Sequence, residues 1–294
     1  MLNVSHLSAE DAAVILELAP IFNIAVVRRL EKGCGRKFYI ETMQGKKRLL
    51  SIGNNEPDWL EGGDFRIYDY IAAAGINTMK GVSKGTFRDG TLSYELYTWL
   101  DGKDLSDALP RMSHAEQFAT GKKVGAFLRK LHTLPTLWEP EPWEVCYWRR
   151  VQNTIQSYSD NPAKSRSGDL LVRYLQDNRE LLNNRPQTFT HGDWNTDNSM
   201  LSPDGEIGII DIGSICNDPW CDFWQMAGDS DAHFYTGQIR GYFEGEPPLE
   251  FFPLLAYYIS EGTLYWWPKD AKCVADWFDD MRNPVPNWYF SHIE

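Results

Sequence analysis

The chain changes its hydrophobic period once, near residue 100, and that switch constrains its fold more than any other feature. Between about residues 22 and 100, "NIAVVRRL", "RKFYIETM", "RLLSIG" and "TLSYELYTWL" carry alternating, β-branched and aromatic residues, the pattern of half-buried strands. "EKGCG" and "QGKK" supply turns between the first three, which predicts a three-strand antiparallel meander. One helix interrupts this region: Phe65, Tyr68, Ile71 and Ala72 fall on one face, and Gly75 ends it. Beyond residue 104 the period becomes helical. "SHAEQFATGKKVGAFLRKLHTL" has Ser113 as N-cap and Glu116 three residues on, a capping box, with Phe118, Val124, Phe127, Leu128 and Leu131 as its apolar stripe. Residues 139–184 read as mainly helical, anchored by Trp143, Tyr147 and Trp148, and the C-terminal part as helical and aromatic-rich. The expected fold class is α+β. A small antiparallel β lobe, residues 1–98, precedes a larger helical lobe, residues 99–294, with a linker near 98–104.

Composition narrows what such a chain does. Of 294 residues, 43% are hydrophobic and 24% charged, so a sizeable core is available. The net charge of −12 argues against a nucleic-acid partner, whose binding surfaces are basic, and suits a cationic small molecule. No apolar run approaches the eighteen residues of a membrane span. The opening "MLNVSHLSAEDAAVILELAP" reads as a helix entered through Ser8, with Glu10 and Asp11 at its positive end, and not as a signal peptide. The five cysteines include no Cys-x-x-Cys pair, which fits reduced thiols in a cytoplasm.

The helical half contains one exception. In residues 185–215, "QTFTHGD", "SML" and "EIGIIDIG" read as short strands around the polar loop "HGDWNTDN", with "SPDG" as a turn. A hairpin brings Asn198 and Asp211 to one end. A carboxamide oxygen and a carboxylate form a hard oxygen set suited to Mg²⁺, which keeps several waters and takes phosphate ligands. Asp193 then stays available to accept a proton from a hydroxyl. This pattern, H-x-D-x-x-x-x-N followed by an Asp beside Gly, is that of kinase-type phosphoryl transfer.

These motifs resemble those of the aminoglycoside phosphotransferase and choline kinase group of small-molecule kinases. "HGDWNTDN" is similar to the group's HGD-x-x-x-x-N motif. "IGIIDIGSICNDPWCDF" is similar to its metal-Asp stretch, with Asn217 where Gly is usual. "VGAFLRKLHTLP" is similar to its G-x-x-L-x-x-L-H helix. "FYTGQIRGYFEGEPP" and the "PVPNWY" tail point to a subgroup of bacterial phosphotransferases.

The resemblance implies a protein-kinase-like two-lobe fold and transfer of the γ-phosphoryl of ATP or GTP to a hydroxyl of a small molecule. Asp193 would be the catalytic base or a substrate-orienting acid, Asn198 and Asp211 the Mg²⁺ ligands, and His191, Asp218 and Asp222 structural support. Gly33 and Gly35 of the "GCG" turn, Ser51, and Thr98, Trp99 and Leu100 of the hinge strand would meet the nucleotide. Read from the residues alone, Trp266 and Trp267 in "YYISEGTLYWWP" either form an aromatic wall for a cationic acceptor, with Glu261 and Asp270 as the acids beside it, or belong to the core of the terminal helices.

The pattern also departs from the group. Ser51 stands where a strand Lys is usual, its expected partner acid is Asp64, and Asn195 replaces a His or Lys two residues after the catalytic Asp. Arg36 and Lys37 are the cations near enough to compensate. Two classes therefore stay open: a small-molecule kinase, or a nucleotide-binding protein of the same fold with little transfer activity.

Overall fold

A computed structural model describes residues 2–32, 35–54, 65–213, 216–228, 232–268 and 281–291. The chain forms two compact units. Met1–Gly102 with Gly208–Ile210 make the first; Lys103–Ile207 and Asp211–Glu294 make the second.

The first unit begins with α1 (Ala9–Phe22), whose N-cap Ser8 accepts a hydrogen bond from the Asp11 amide. Strands β1 (Ile24–Arg29), β2 (Arg36–Thr42) and β3 (Lys47–Asn54) form the expected meander. After α2 (Phe65–Ala73) come β4 (Gly81–Phe87) and β5 (Leu92–Thr98), giving an antiparallel sheet of order β1-β2-β3-β5-β4. β4 is not anticipated by the sequence. "GVSKGTF" buries none of its residues fully, so it carries no strong apolar alternation.

Period-two alternation assigns each residue of the central strands to a face. Phe38, Ile40, Leu50, Ile52 and Leu96 pack under Val14, Ile15 and Leu18 of α1. Arg36 lies in the same series. Its Nε donates to Asp11 Oδ1 at 2.9 Å and its Nη1 to Glu10 at 2.9 Å. Asp11 also holds Arg29 of β1, so one buried carboxylate ties α1 to two strands. On the other face α2 packs against β5, with Phe65 and Tyr68 edge-on to Tyr97 at 5.1 and 5.6 Å.

In the second unit β6 (Lys103–Asp104) leads into α3 (Leu105–Ala108) and then α4 (His114–Leu131), whose Ser113–Glu116 capping box is complete. α5 (Trp143–Asp160), α6 (Arg166–Asp177) and α8 (Phe251–Tyr265) enclose a core that includes Trp143, Tyr147, Val151, Leu171, Leu175, Leu254, Tyr257 and Tyr258. α7 (Ala232–Phe243) lies against α4 with almost no space between the backbones. A Cβ at Gly125 would come within 2.0 Å of the Gln238 carbonyl oxygen, and one at Gly237 within 2.2 Å of the Phe118 carbonyl oxygen. The "FYTGQIRGYF" stretch therefore serves packing: Gly237 and Gly241 face α4, and Gly121 and Gly125 face α7. A last short helix, α9, spans Asn287–Ser291.

β7 (Ser199–Leu201) pairs with β6, and the Ser202–Glu206 turn leads to β8 (Ile207–Ile209). "QTFTHGD" does not form the expected strand; it makes a single bridge, Thr188 to Asn217. No described helix is long and apolar enough to cross a membrane.

Candidate active site

The loop between Thr190 and β7 is held from below by one buried carboxylate, Asp222. Asp222, 2% exposed, accepts the His191 amide on Oδ2 and the Gly192 amide on Oδ1, each at 2.7 Å. Its Oδ2 is also 3.0 Å from His132 Nε2, whose Nδ1 lies 3.0 Å from the Tyr242 hydroxyl. The His of the "LRKLH" helix thus acts as a strut beneath the loop.

His191 is fully buried, with its ring edge-on to Trp194 and its Nδ1 accepting from the Asp193 amide at 3.3 Å. Asp218 is equally buried. It takes Arg185 on both oxygens, the Trp220 amide at 2.9 Å and the Tyr258 hydroxyl at 2.7 Å. Burial, and then the Asp218 charge, push the Tyr258 hydroxyl well above the ordinary tyrosine range, so it remains a donor to that carboxylate.

On this base Asp193 is presented at the surface. Asn198 Nδ2 donates to Asp193 Oδ2 and to its backbone carbonyl, both at 2.9 Å. Gln225 Nε2 donates to Asp193 Oδ1 at 2.5 Å. Gln225 is oriented in turn by Asn195, whose Nδ2 donates to Gln225 Oε1 at 3.1 Å. The other end of Asn195 closes the loop: its Oδ1 accepts the amides of Asp197 and Asn198, each at 2.9 Å. Sequence reasoning gives no role to Gln225. It lies 32 residues from Asp193, and its one local signal is a lone amide in the apolar run "DFWQMAG".

The segment after β8 returns to this loop. The Gly213 amide donates to the His191 carbonyl at 2.8 Å, and a Cβ on Gly213 would sit 3.4 Å from Asp193 Cβ. Asp211, just before it, has a φ of +54°, a left-handed conformation uncommon for a non-glycine residue. With Asn198 Nδ2 turned to Asp193, Asn198 Oδ1 points to the opposite side of its amide. Asn198 Oδ1 and the Asp211 carboxylate are hard oxygen donors of the kind Mg²⁺ takes together with water and phosphate. Among the described residues no cluster of three or more His, Cys, Asp and Glu is placed to hold a metal.

The residues expected at the nucleotide lie in the first unit. Ser51 is 6% exposed, on the sheet face opposite the α1 core. Thr98 donates its amide to the Lys80 carbonyl at 2.8 Å and accepts the Lys80 amide on its hydroxyl at 2.9 Å, so its N–H is spent within the unit. Trp99 packs edge-on to Tyr39, with ring centroids 4.7 Å apart, and Leu100 is half-buried. Gly35 has a φ of +82° and open space beside it. Gly33 and Asp64 lie outside the described residues. Arg36 is not a phosphate ligand in waiting: alternation sends it to Asp11 and Glu10 at α1.

The expected cation-facing group is corrected by burial. Glu261 is 1% exposed and its carboxylate is consumed within the core. Arg150 donates to it at 3.0 and 2.9 Å, Thr154 at 2.7 Å and Tyr147 at 3.3 Å. Trp267 is also buried, its indole N–H donating to the Ala163 carbonyl at 2.8 Å. Trp266 is exposed, and Asp270 lies outside the described residues.

The chain is similar to known phosphotransferases. The model of the phosphotransferase enzyme family matches residues 28–252. Comparison with curated protein sequences returns no match. Among solved structures, aminoglycoside phosphotransferase APH(4)-Ia is similar with a TM-score of 0.66 at 16% identity, covering 90% of this chain and 97% of that one. Macrolide 2'-phosphotransferase MphH from Brachybacterium faecium gives 0.62 at 15% identity, covering 90% and 93%. Aminoglycoside phosphotransferase APH(3'')-Id from Streptomyces rimosus, solved with ADP and streptomycin, gives 0.59 at 15% identity, covering 88% and 100%.

Proposed function

The chain belongs to the phosphotransferase enzyme family, and from that premise we propose that it moves the γ-phosphoryl group of ATP or GTP onto a hydroxyl of a small molecule. The observation that carries this reading is the presentation of Asp193. Its carboxylate is exposed, fixed at both oxygens by amide donors, and mounted on a loop that Asp222 pins through two backbone amides. Such rigidity is what phosphoryl transfer asks of a protein, because catalysis there is mostly positioning and charge stabilisation.

The acceptor hydroxyl lies within hydrogen-bond reach of Asp193, about 2.6–3.2 Å. Its oxygen forms the new bond to phosphorus as the bond from phosphorus to the β-phosphate oxygen breaks. The hydroxyl proton passes to Asp193, and the nucleoside diphosphate leaves. In a loose transition state that proton departs late, so Asp193 orients the nucleophile first and takes the proton afterwards. Asn198 Oδ1 and Asp211 would hold Mg²⁺, which when bound neutralises charge on the phosphate oxygens. Trp99 and the backbone of Leu100 would meet the base.

Two similar solved structures hold streptomycin, one with ADP and one with ATP. With the net charge of −12, this favours a cationic hydroxylated acceptor such as an aminoglycoside. The test is a panel of aminoglycosides, other hydroxylated amines and neutral sugars, incubated with Mg²⁺ and ATP or GTP and read by mass spectrometry. One acceptor should gain a single phosphoryl group with matching release of nucleoside diphosphate. Nucleotide binding with no transfer to any acceptor would refute the transferase reading.

A further inference from the structure

We infer that Lys37, on β2, supplies the cation for the nucleotide's phosphates, across the ladder from Ser51. This rests on the reading above that the first unit binds a nucleoside triphosphate. In the β2–β3 ladder Lys37 is the direct partner of Ser51, and in the β3–β5 ladder Ser51 is the partner of Glu95. Directly opposite residues of antiparallel strands share a face, with Cβ atoms about 4.5–5.5 Å apart. Lys37, Ser51, Glu95 and Lys84, the β4 partner of Glu95, therefore form one row across four strands, with the Lys84 ammonium 5.4 Å from the centre of the Phe65 ring on α2. Phe38, Leu50, Ile52 and Leu96, their chain neighbours, all point to the α1 core, so the row lies on the other face.

That face also carries the elements expected to meet the base. Tyr39, two residues along β2 from Lys37, packs against Trp99. Two strand residues span about 7 Å, so Lys37 stands one phosphate-chain step from the ring-bearing end. Between the two cationic neighbours on β2, alternation separates the roles: Arg36 turns to Asp11 and Glu10 on α1, and Lys37 turns to the row. Lys47, further along β3, pairs with Asp101 at 2.7 Å and so faces the hinge end. Gly35, with open space beside it, lets the chain before Lys37 approach a ligand without a side chain in the way. Glu95, whose Oε2 accepts from the Tyr97 hydroxyl at 2.8 Å, places a fixed carboxylate between Ser51 and Lys84 in the row to orient an ammonium group. A small residue at position 51 keeps the middle of the row low.

The experiment is calorimetric titration of the full chain with Mg²⁺–ATP and, separately, with adenosine. It compares wild type with Lys37→Met, Lys37→Gln and Lys37→Arg, each checked for an unchanged melting temperature in the absence of ligand. The two neutral variants are expected to weaken Mg²⁺–ATP at least tenfold and to leave adenosine within twofold, while Lys37→Arg stays within threefold for both. Neutral variants that bind Mg²⁺–ATP as wild type does would overturn the inference. So would an equal loss for adenosine, which marks a role in folding of the face and not in phosphate binding. Wild type that binds neither ligand would instead overturn the nucleotide reading from which the inference starts.

Discussion

Three carboxamides, Asn195, Asn198 and Gln225, hold the loop acid in this protein. The arrangement is a relay: Asn195 fixes the amide of Gln225, and Gln225 fixes one oxygen of Asp193. Gln225→Met keeps the side-chain length and removes the donor, so it should lower kcat about tenfold, the worth of one charge-assisted hydrogen bond, with little change in the KM for nucleotide. Asn195→Asp keeps the oxygen that caps Asp197 and Asn198 but loses the hydrogen bond to Gln225. Its effect should not add to that of Gln225→Met, which a double-mutant cycle in single-turnover assays reads directly. Additive losses would show that the two amides act separately. At the metal, Asp211→Ala should abolish Mg²⁺-dependent stabilisation by ATP in a thermal melt while leaving the ligand-free melting temperature in place; unchanged stabilisation would reject Asp211 as a ligand.

At the scale of elements, two contacts give testable stability changes. α4 and α7 meet through glycines, so Gly125→Ala forces a methyl group against the Gln238 carbonyl oxygen. A backbone cannot yield as a side chain can, and the expected cost is about 2–4 kcal/mol, read from denaturant midpoints. A loss below about 0.5 kcal/mol would mean that the helices slide apart freely.

In the first unit, Asp11 joins α1 to β1 and β2. Burial opposes its ionisation, but the hydrogen bond and charge of Arg29, with help from Arg36 and Ser8, hold its carboxyl below the usual aspartate value. The folded-state value is therefore the lower one. The stabilisation is complete above the ordinary value near pH 4 and fades as pH falls through the folded value. Asp11→Asn should lower stability at neutral pH and flatten the acid limb of the melting curve; an acid limb identical to wild type would contradict this.

The same elements show what was legible in the sequence. α1, the β1–β3 meander and α4 announce themselves because period and caps are local. β4 does not, because its residues stay near solvent. The helix glycines read as weak helix formers, and only the partner helix reveals why Gly suits those positions. Glu261 reads as a surface acid beside aromatics, and its true partner Arg150 lies 111 residues away. Asp193, Asn198 and Asp211 were legible as a spacing pattern. Gln225 was not, since nothing local ties the "DFWQMAG" run to the loop.

For the whole molecule, the expected division of labour is between the units: a sheet face with Lys37, Ser51 and Trp99 for the nucleotide, and a helical unit that presents Asp193. The family match spans both units, from residue 28 to residue 252, and the account proposed for them is a single transfer reaction. Its central claim is that Asp193 orients and then deprotonates the acceptor hydroxyl. The most direct test is single-turnover phosphoryl transfer by wild type and Asp193→Asn, with the best acceptor from the panel and saturating Mg²⁺–nucleotide. The account predicts unchanged nucleotide affinity and a transfer rate reduced by at least about a hundredfold, the low end of acid–base contributions. Transfer by Asp193→Asn at the wild-type rate would contradict it.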